Sequence, residues 1–133
     1  MIFRPFRFDD LRALAVQHRH RGTLAKTLEA SVKFEIPISP LSFTACGDGR
    51  VLACVGATPD GGVWAFLAED LRRHMVPITR HCRELANMHH RMTGKPLYAN
   101  IDGGHPEAVR WARLGGFQQQ DGDTWVRAPS TTP

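Results

Sequence analysis

Leu97-Tyr98-Ala99-Asn100-Ile101-Asp102-Gly103-Gly104-His105-Pro106-Glu107-Ala108-Val109-Arg110-Trp111-Ala112-Arg113-Leu114-Gly115-Gly116-Phe117 is the stretch on which the fold turns. Residues 97–101 read as a strand. Residues 106–114 read as a helix with Val109 and Ala112 on one side. Gly115-Gly116 then turns the chain into Phe117-Gln118-Gln119. Asp121-Gly122-Asp123 is a hairpin turn, and the chain returns through Thr124-Trp125-Val126-Arg127. The C-terminal part is therefore a strand, a short helix and a closing hairpin.

Upstream lies a long helix, predicted over 77–92, with Pro77 tolerated in its first turn. Ile78, Cys82, Leu85, His89 and Met92 fall on one side at helical spacing, and Arg80, Arg83, Glu84 and Arg91 occupy much of the rest. Thr93-Gly94 ends it. Before it, Val63-Trp64-Ala65-Phe66-Leu67-Ala68 is apolar throughout, which predicts a central strand covered on both faces. Residues 41–46 and 51–58 flank Gly47-Asp48-Gly49-Arg50, a hairpin by its Asp-Gly centre. With a two-residue turn, Cys46 would oppose Val51 and Cys54 would oppose Phe43. The two thiols would then point to opposite faces and could not pair.

The N-terminal third reads as a strand over 2–6, a helix capped by Asp9 or Asp10 and running to Gln17, and a second helix over 23–32. Two prolines, Pro37 and Pro40, make a stiff connector to the first hairpin. The order is βαα-βββ-α-β-α-ββ. It predicts an α/β fold, a mixed sheet with helices on both faces, in one domain over 1–127 with a flexible tail over 128–133.

Composition excludes several classes. The 133 residues are 42% hydrophobic and 23% charged, ordinary for one globular domain. No apolar run approaches the roughly 20 residues a membrane span needs, and Met1-Ile2-Phe3-Arg4-Pro5 does not open a signal peptide. Net charge is +4, but the arginines are scattered from Arg4 and Arg7 through Arg72 and Arg73 to Arg110 and Arg113. They form no stripe and have no interleaved aromatics, so nucleic acid is a conceivable but not the favoured partner. The seven histidines carry no metal motif: His18 and His20 stand alone, and His89 and His90 diverge by about 100° on a helix. No metal is expected. Cys82, beside His81 and one helical stretch from His89, suits a small buried residue better than a nucleophile.

The element order resembles the GNAT acyltransferase fold, and residues agree with it at three places. Phe3-Arg4-Pro5 followed by Asp9-Asp10-Leu11 is similar to that family's opening strand and capped helix. The strand over 63–68 and its following helix resemble the family's central strand and cofactor helix. Tyr98-Ala99-Asn100-Ile101, His105-Pro106-Glu107-Ala108-Val109 and Gly116-Phe117 are similar to its closing signature, in which Asn-x-x-Ala and a short helix lead to Gly-Phe. The resemblance implies a site at the start of the long helix, where backbone N–H groups of a Gly-rich turn bind the cofactor pyrophosphate. It also implies a cleft between the strands over 63–68 and 97–101.

The departures fall on those same functional positions. Leu71-Arg72-Arg73-His74-Met75-Val76-Pro77-Ile78-Thr79 contains no glycine, and Pro77 lacks an N–H. Side chains of Met75, Val76 and Ile78 are expected to crowd the pyrophosphate space. The family's Tyr acid falls at Ala112 and its Asn at His105. Candidate cofactor-binding residues are therefore Arg72, Arg73 and His74, which would hold a phosphate by charge. Glu69 and His105 remain as candidate catalytic residues, with Asp70 beside Glu69 as a further carboxylate or a cap. The narrower resemblance is to degenerate GNAT-like internal virion and virion-assembly proteins of short-tailed phages, sharing the Trp-bearing strand, the glycine-free turn and Arg110-Trp111. It implies a virion-associated structural or assembly component, made in the host cytoplasm, that packs against other phage structural proteins or copies of itself. No cofactor and no enzyme-like turnover are expected on that reading. The alternative is a working acyl-CoA N-acetyltransferase with an atypical cofactor turn, using acetyl-CoA.

Overall fold

The computed structural model describes residues 1–14, 41–68, 71–101 and 106–129. The predicted helix over 23–32, the end of the first helix, the proline connector and the end of the tail lie outside them. The described elements run β1 (Ile2–Pro5), α1 (Asp9–Ala13), β2 (Phe43–Gly47), β3 (Arg50–Ala57), β4 (Val63–Leu67), α2 (Met75–Thr93), β5 (Leu97–Asn100), α3 (Pro106–Leu114), β6 (Gln118–Asp121) and β7 (Thr124–Arg127). For the described elements this is the α/β order expected from sequence. The backbone packs as two units, Met1–Pro59 with Trp64–Arg73, and Asp60–Val63 with His74–Pro133.

The first unit is built on a four-stranded sheet of order β1-β2-β3-β4. The β2–β3 hairpin turns at Asp48 and Gly49, whose φ values of 52° and 71° give the twist that two-residue hairpins favour. A bulge between Ala45 and Cys46 changes the register expected beyond the turn. Cys46 still opposes Val51, but Cys54 opposes Thr44 rather than Phe43. Thr44 and Cys46 lie two apart on β2, so both cysteines share one face, and the opposite-face argument fails. All three cysteines are free thiols. Cys54 lies against Thr44, Oγ1 to Sγ 3.9 Å.

On that face Asp10 gathers the N-terminus. Arg4 donates to both of its oxygens at 2.8 and 2.7 Å, Thr44 Oγ1 donates to Oδ2 at 2.7 Å, and the Arg7 N–H donates to Oδ2 at 3.0 Å. Asp10 thus reaches back to Arg7 and does not cap α1 from in front; Phe8 stands at the N-cap with no side-chain bond. Burial alone would raise this carboxyl's pKa, and the hydrogen bonds from Arg4, Thr44 and Arg7 outweigh it and hold it below its usual value.

Phe6 reaches Trp64 with ring centroids 4.8 Å apart. The crossing needs Gly56, where an added Cβ would sit 2.5 Å from the Trp64 ring and 2.3 Å from Ser42 Oγ. β4 is the outer strand of this sheet and not its centre. Its apolar run reflects two-sided burial, for the neighbouring residues Phe66 and Leu67 point to opposite faces and are both buried.

The second unit carries an antiparallel sheet of order β5-β7-β6. An isolated parallel bridge joins Gly62 to Tyr98, and the Tyr98 N–H donates to the Gly61 carbonyl at 2.9 Å. Gly61, at φ 97°, admits the neighbouring backbone, since a Cβ there would lie 2.7 Å from the Pro96 carbonyl oxygen. Trp111 Nε1 donates to Thr79 Oγ1 at 2.8 Å and ties α3 to α2. Arg127 donates to the Gly115 carbonyl at 2.9 Å and to Asn87 Oδ1 at 2.7 Å, fixing the turn after α3. Along α2, Ile78 and His89 are buried as the spacing predicts, whereas Met92 in the last turn is exposed.

Candidate functional site

The start of α2 is where the sequence places its anion site. Leu71 is buried, and a single 3-10 turn, Arg72–His74, leads directly into the 19-residue helix. His74 stands at the N-cap without a side-chain bond to the helix, and the first turn holds no carboxylate. Nothing acidic in the helix's first turn therefore offsets the positive end of its dipole. Pro77 is the third helical residue, where a missing N–H costs the helix nothing but removes one donor from the anion-facing set.

The expected crowding is only partly present. Ile78 is fully buried at 0% exposure, so its side chain belongs to the core and leaves the helix end clear. Met75 is half-buried, and Val76, 67% exposed, is the apolar side chain the surface presents in this turn. The correction follows from helical periodicity: Ile78 begins the buried stripe, and Val76 lies about 200° around the axis from it.

Arg73 and His74 flank the helix start, with Arg73 exposed and His74 half-buried. Arg72 belongs to the same turn by its backbone. Arg73 Nη2 donates to Asp48 Oδ2 at 2.9 Å, joining this turn to the tip of the β2–β3 hairpin. The sequence offers no sign of that contact, because Asp48 reads there simply as a turn residue. Glu69, Asp70 and His105 lie outside the described residues, as do His18 and His20.

The position expected for the family's acid is Ala112, which is buried and whose carbonyl accepts the Phe117 N–H at 3.0 Å. It helps end α3 and has no proton to give. Thiol chemistry has no support either. Burial pushes the Cys54 and Cys82 thiols up to about 12, where almost no thiolate exists at neutral pH. Burial likewise lowers the His81 pKa, against the raising influence of Glu84.

His89 and His90 are both buried near the end of α2, their ring centroids 5.7 Å apart. His90 Nδ1 lies 2.9 Å from the Lys95 carbonyl oxygen, and its buried Nε2 has no hydrogen-bond partner. Among the described residues no three His, Cys, Asp or Glu side chains come together as a metal site. No helix among them is long and apolar enough to cross a membrane.

No protein-family model and no curated protein sequence matches the chain. Solved structures do. The aminoglycoside acetyltransferase AAC(6')-Ib in complex with coenzyme A matches with a TM-score of 0.65 at 17% identity, over 95% of this chain and 93% of that one. Ard1 from Thermoplasma volcanium matches at 0.62 and 13% identity, over 94% and 93%. Ribosomal-protein-alanine N-acetyltransferase from Brucella melitensis matches at 0.53 and 18% identity, over 95% and 96%. The chain therefore shares the GNAT acetyltransferase fold with these structures. None of these three is a virion protein.

Proposed function

We propose that this chain binds acyl-CoA at the start of α2 and transfers the acyl group to an amine. The observation that carries the reading is the helix end itself. A 19-residue helix follows β4, bears no carboxylate in its first turn and no side-chain cap, and is preceded by Arg73 and His74. That arrangement favours a pyrophosphate by dipole and charge even without glycines. The chain also shares its fold with an acetyltransferase crystallised with coenzyme A. Burial of Ile78 removes one of the three side chains that would stand in the cofactor's way.

In the reaction, the amine nitrogen attacks the thioester carbonyl, a C–N bond forms, and the C–S bond breaks to release CoA thiolate. The amine's proton leaves to a base, for which Glu69 or Asp70 is the candidate. The thiolate is reprotonated without a residue at position 112, a loss that is tolerable because a thiolate is a good leaving group. A general acid typically contributes about 10²–10⁴-fold, so turnover is expected to be slow. The test is calorimetry with acetyl-CoA followed by a thiol-release assay over a panel of amines. Micromolar binding and acceptor-dependent release support the reading; absence of both sinks it.

A second reading draws on Ala112 and the glycine-free turn: a retired site on a protein used in assembly, of the phage virion type. Its test is mass spectrometry of purified particles, in which the chain would have to appear at fixed stoichiometry.

A further inference from the structure

We propose that Asp48 is a built-in competitor for the anion site of Arg73, so that this hairpin residue sets the affinity for a phosphorylated ligand. The inference rests on the reading of Arg73 as a cofactor contact. One Arg73 nitrogen donates to a carboxylate, Nη2 to Asp48 Oδ2 at 2.9 Å. That carboxylate stands where a ligand's anionic oxygen would bind the guanidinium.

Three features make the pair exchangeable rather than structural. Both side chains are open to water, at 79% for Arg73 and 46% for Asp48, and exposed pairs of this kind contribute little to stability. The recorded contact uses one donor of the five a guanidinium carries. A phosphate can take two of them side by side and binds arginine more strongly than an end-on carboxylate. Turn chemistry, moreover, does not explain the charge. Asp48 holds φ 52° ahead of Gly49 at 71°, and asparagine or glycine would serve that left-handed position equally well. What aspartate adds there is a negative charge at the tip of β2–β3, held against Arg73.

Displacement needs no covalent step: the ligand's phosphate replaces Asp48 on Arg73, and Asp48 gives up that one bond. The substitutions Asp48→Asn and Asp48→Gly remove the competitor while keeping a backbone-compatible residue in the turn. Calorimetry with inorganic pyrophosphate and with coenzyme A, in about 50 mM salt, reads the effect. Both variants are expected to bind each ligand roughly 2–5-fold more tightly than the parent chain, the range that the strength of an exposed pair allows. Asp9→Asn, which removes the same charge from an exposed pair with Arg12, should give a clearly smaller gain. In an Arg73→Gln background the gain from Asp48→Asn should vanish, since the two residues act through each other.

Unchanged or weaker binding in the Asp48 variants overturns the proposal. So does a gain matched by Asp9→Asn, or one that survives Arg73→Gln. Tighter pyrophosphate binding without any coenzyme A binding upholds Asp48 as the competitor and removes the acyl-CoA reading. Equal coenzyme A binding by the parent and both Asp48 variants, weakened by Arg73→Gln, does the reverse. Binding of neither ligand removes both.

Discussion

Arg4 holds Asp10 through two parallel hydrogen bonds, 2.8 and 2.7 Å long, and so joins the first strand to the first helix. With Thr44 and the Arg7 N–H on the same carboxylate, Asp10 is the polar anchor of the first unit. Asp10→Ala should destabilise the fold by about 2–3 kcal/mol, between the value of an exposed pair and that of a fully buried one. The folded-state pKa lies below the ordinary carboxyl value, so this stabilisation is present above about pH 4 and lost as pH falls through the folded value. Urea unfolding of the parent and Asp10→Asn chains between pH 7 and pH 3 should show the gap closing with acid. A constant gap would mean that the network is not what holds the carboxyl down.

The buried stripe of α2 begins at Ile78, with 0% exposure, two positions after an exposed Val76. Ile78→Ala should cost about 2–5 kcal/mol, the range for truncating a buried aliphatic side chain. Val76→Ala should stay within about 0.5 kcal/mol. Thermal or urea unfolding of the two variants checks the assignment, and similar losses at both positions would contradict it.

How much of this could be read from sequence depends on the kind of interaction involved. Turn chemistry and periodicity are local, and Asp48-Gly49, the helix Pro106–Leu114 and the return strand Thr124–Arg127 were legible from them. The outer position of β4 was not. An apolar run reports burial on two faces, as at Phe66 and Leu67, and carries no count of ladder partners. The bulge at Ala45/Cys46 has no glycine to announce it, so the facing of Cys54 was misread by one residue. At the site, Arg73 was legible as a cation, with His74 beside it, at a helix start. Asp48 was not, because its contact spans 25 residues and rests on how the hairpin folds back.

Acid should loosen the end of α2. Burial lowers the His90 pKa, with Arg127 and His89 adding to it against the raising effect of the Lys95 carbonyl. The neutral ring is thus favoured in the folded state. Its contribution is present above the ordinary histidine value near 6.5 and lost as pH falls through the lowered folded value. Protonation would also give the orphaned Nε2 a buried N–H. Unfolding free energies at pH 7.5 and 5.0 should differ less in His90→Gln than in the parent, and an unchanged difference would place the acid sensitivity elsewhere.

The thiols should separate by reactivity. Cys54 and Cys82 have pKa values pushed up to about 12, so at pH 8 only roughly one part in 10⁴ of either is thiolate. Cys46 is half-buried. Cys82 is half-buried as well, so its raised pKa and not enclosure is what should slow it. Limited alkylation of the native chain, mapped by peptide mass spectrometry, should label Cys46 first, and prior labelling of Cys82 would mean that its thiol is not held up.

Cofactor binding tests the central claim most directly. Calorimetric titration of the full chain with acetyl-CoA at moderate salt, repeated with Arg73→Gln, is the measurement. The account predicts micromolar binding that Arg73→Gln weakens by several-fold, as expected when one charge-assisted contact is lost. No heat of binding up to millimolar acetyl-CoA, or binding indifferent to Arg73, would contradict it.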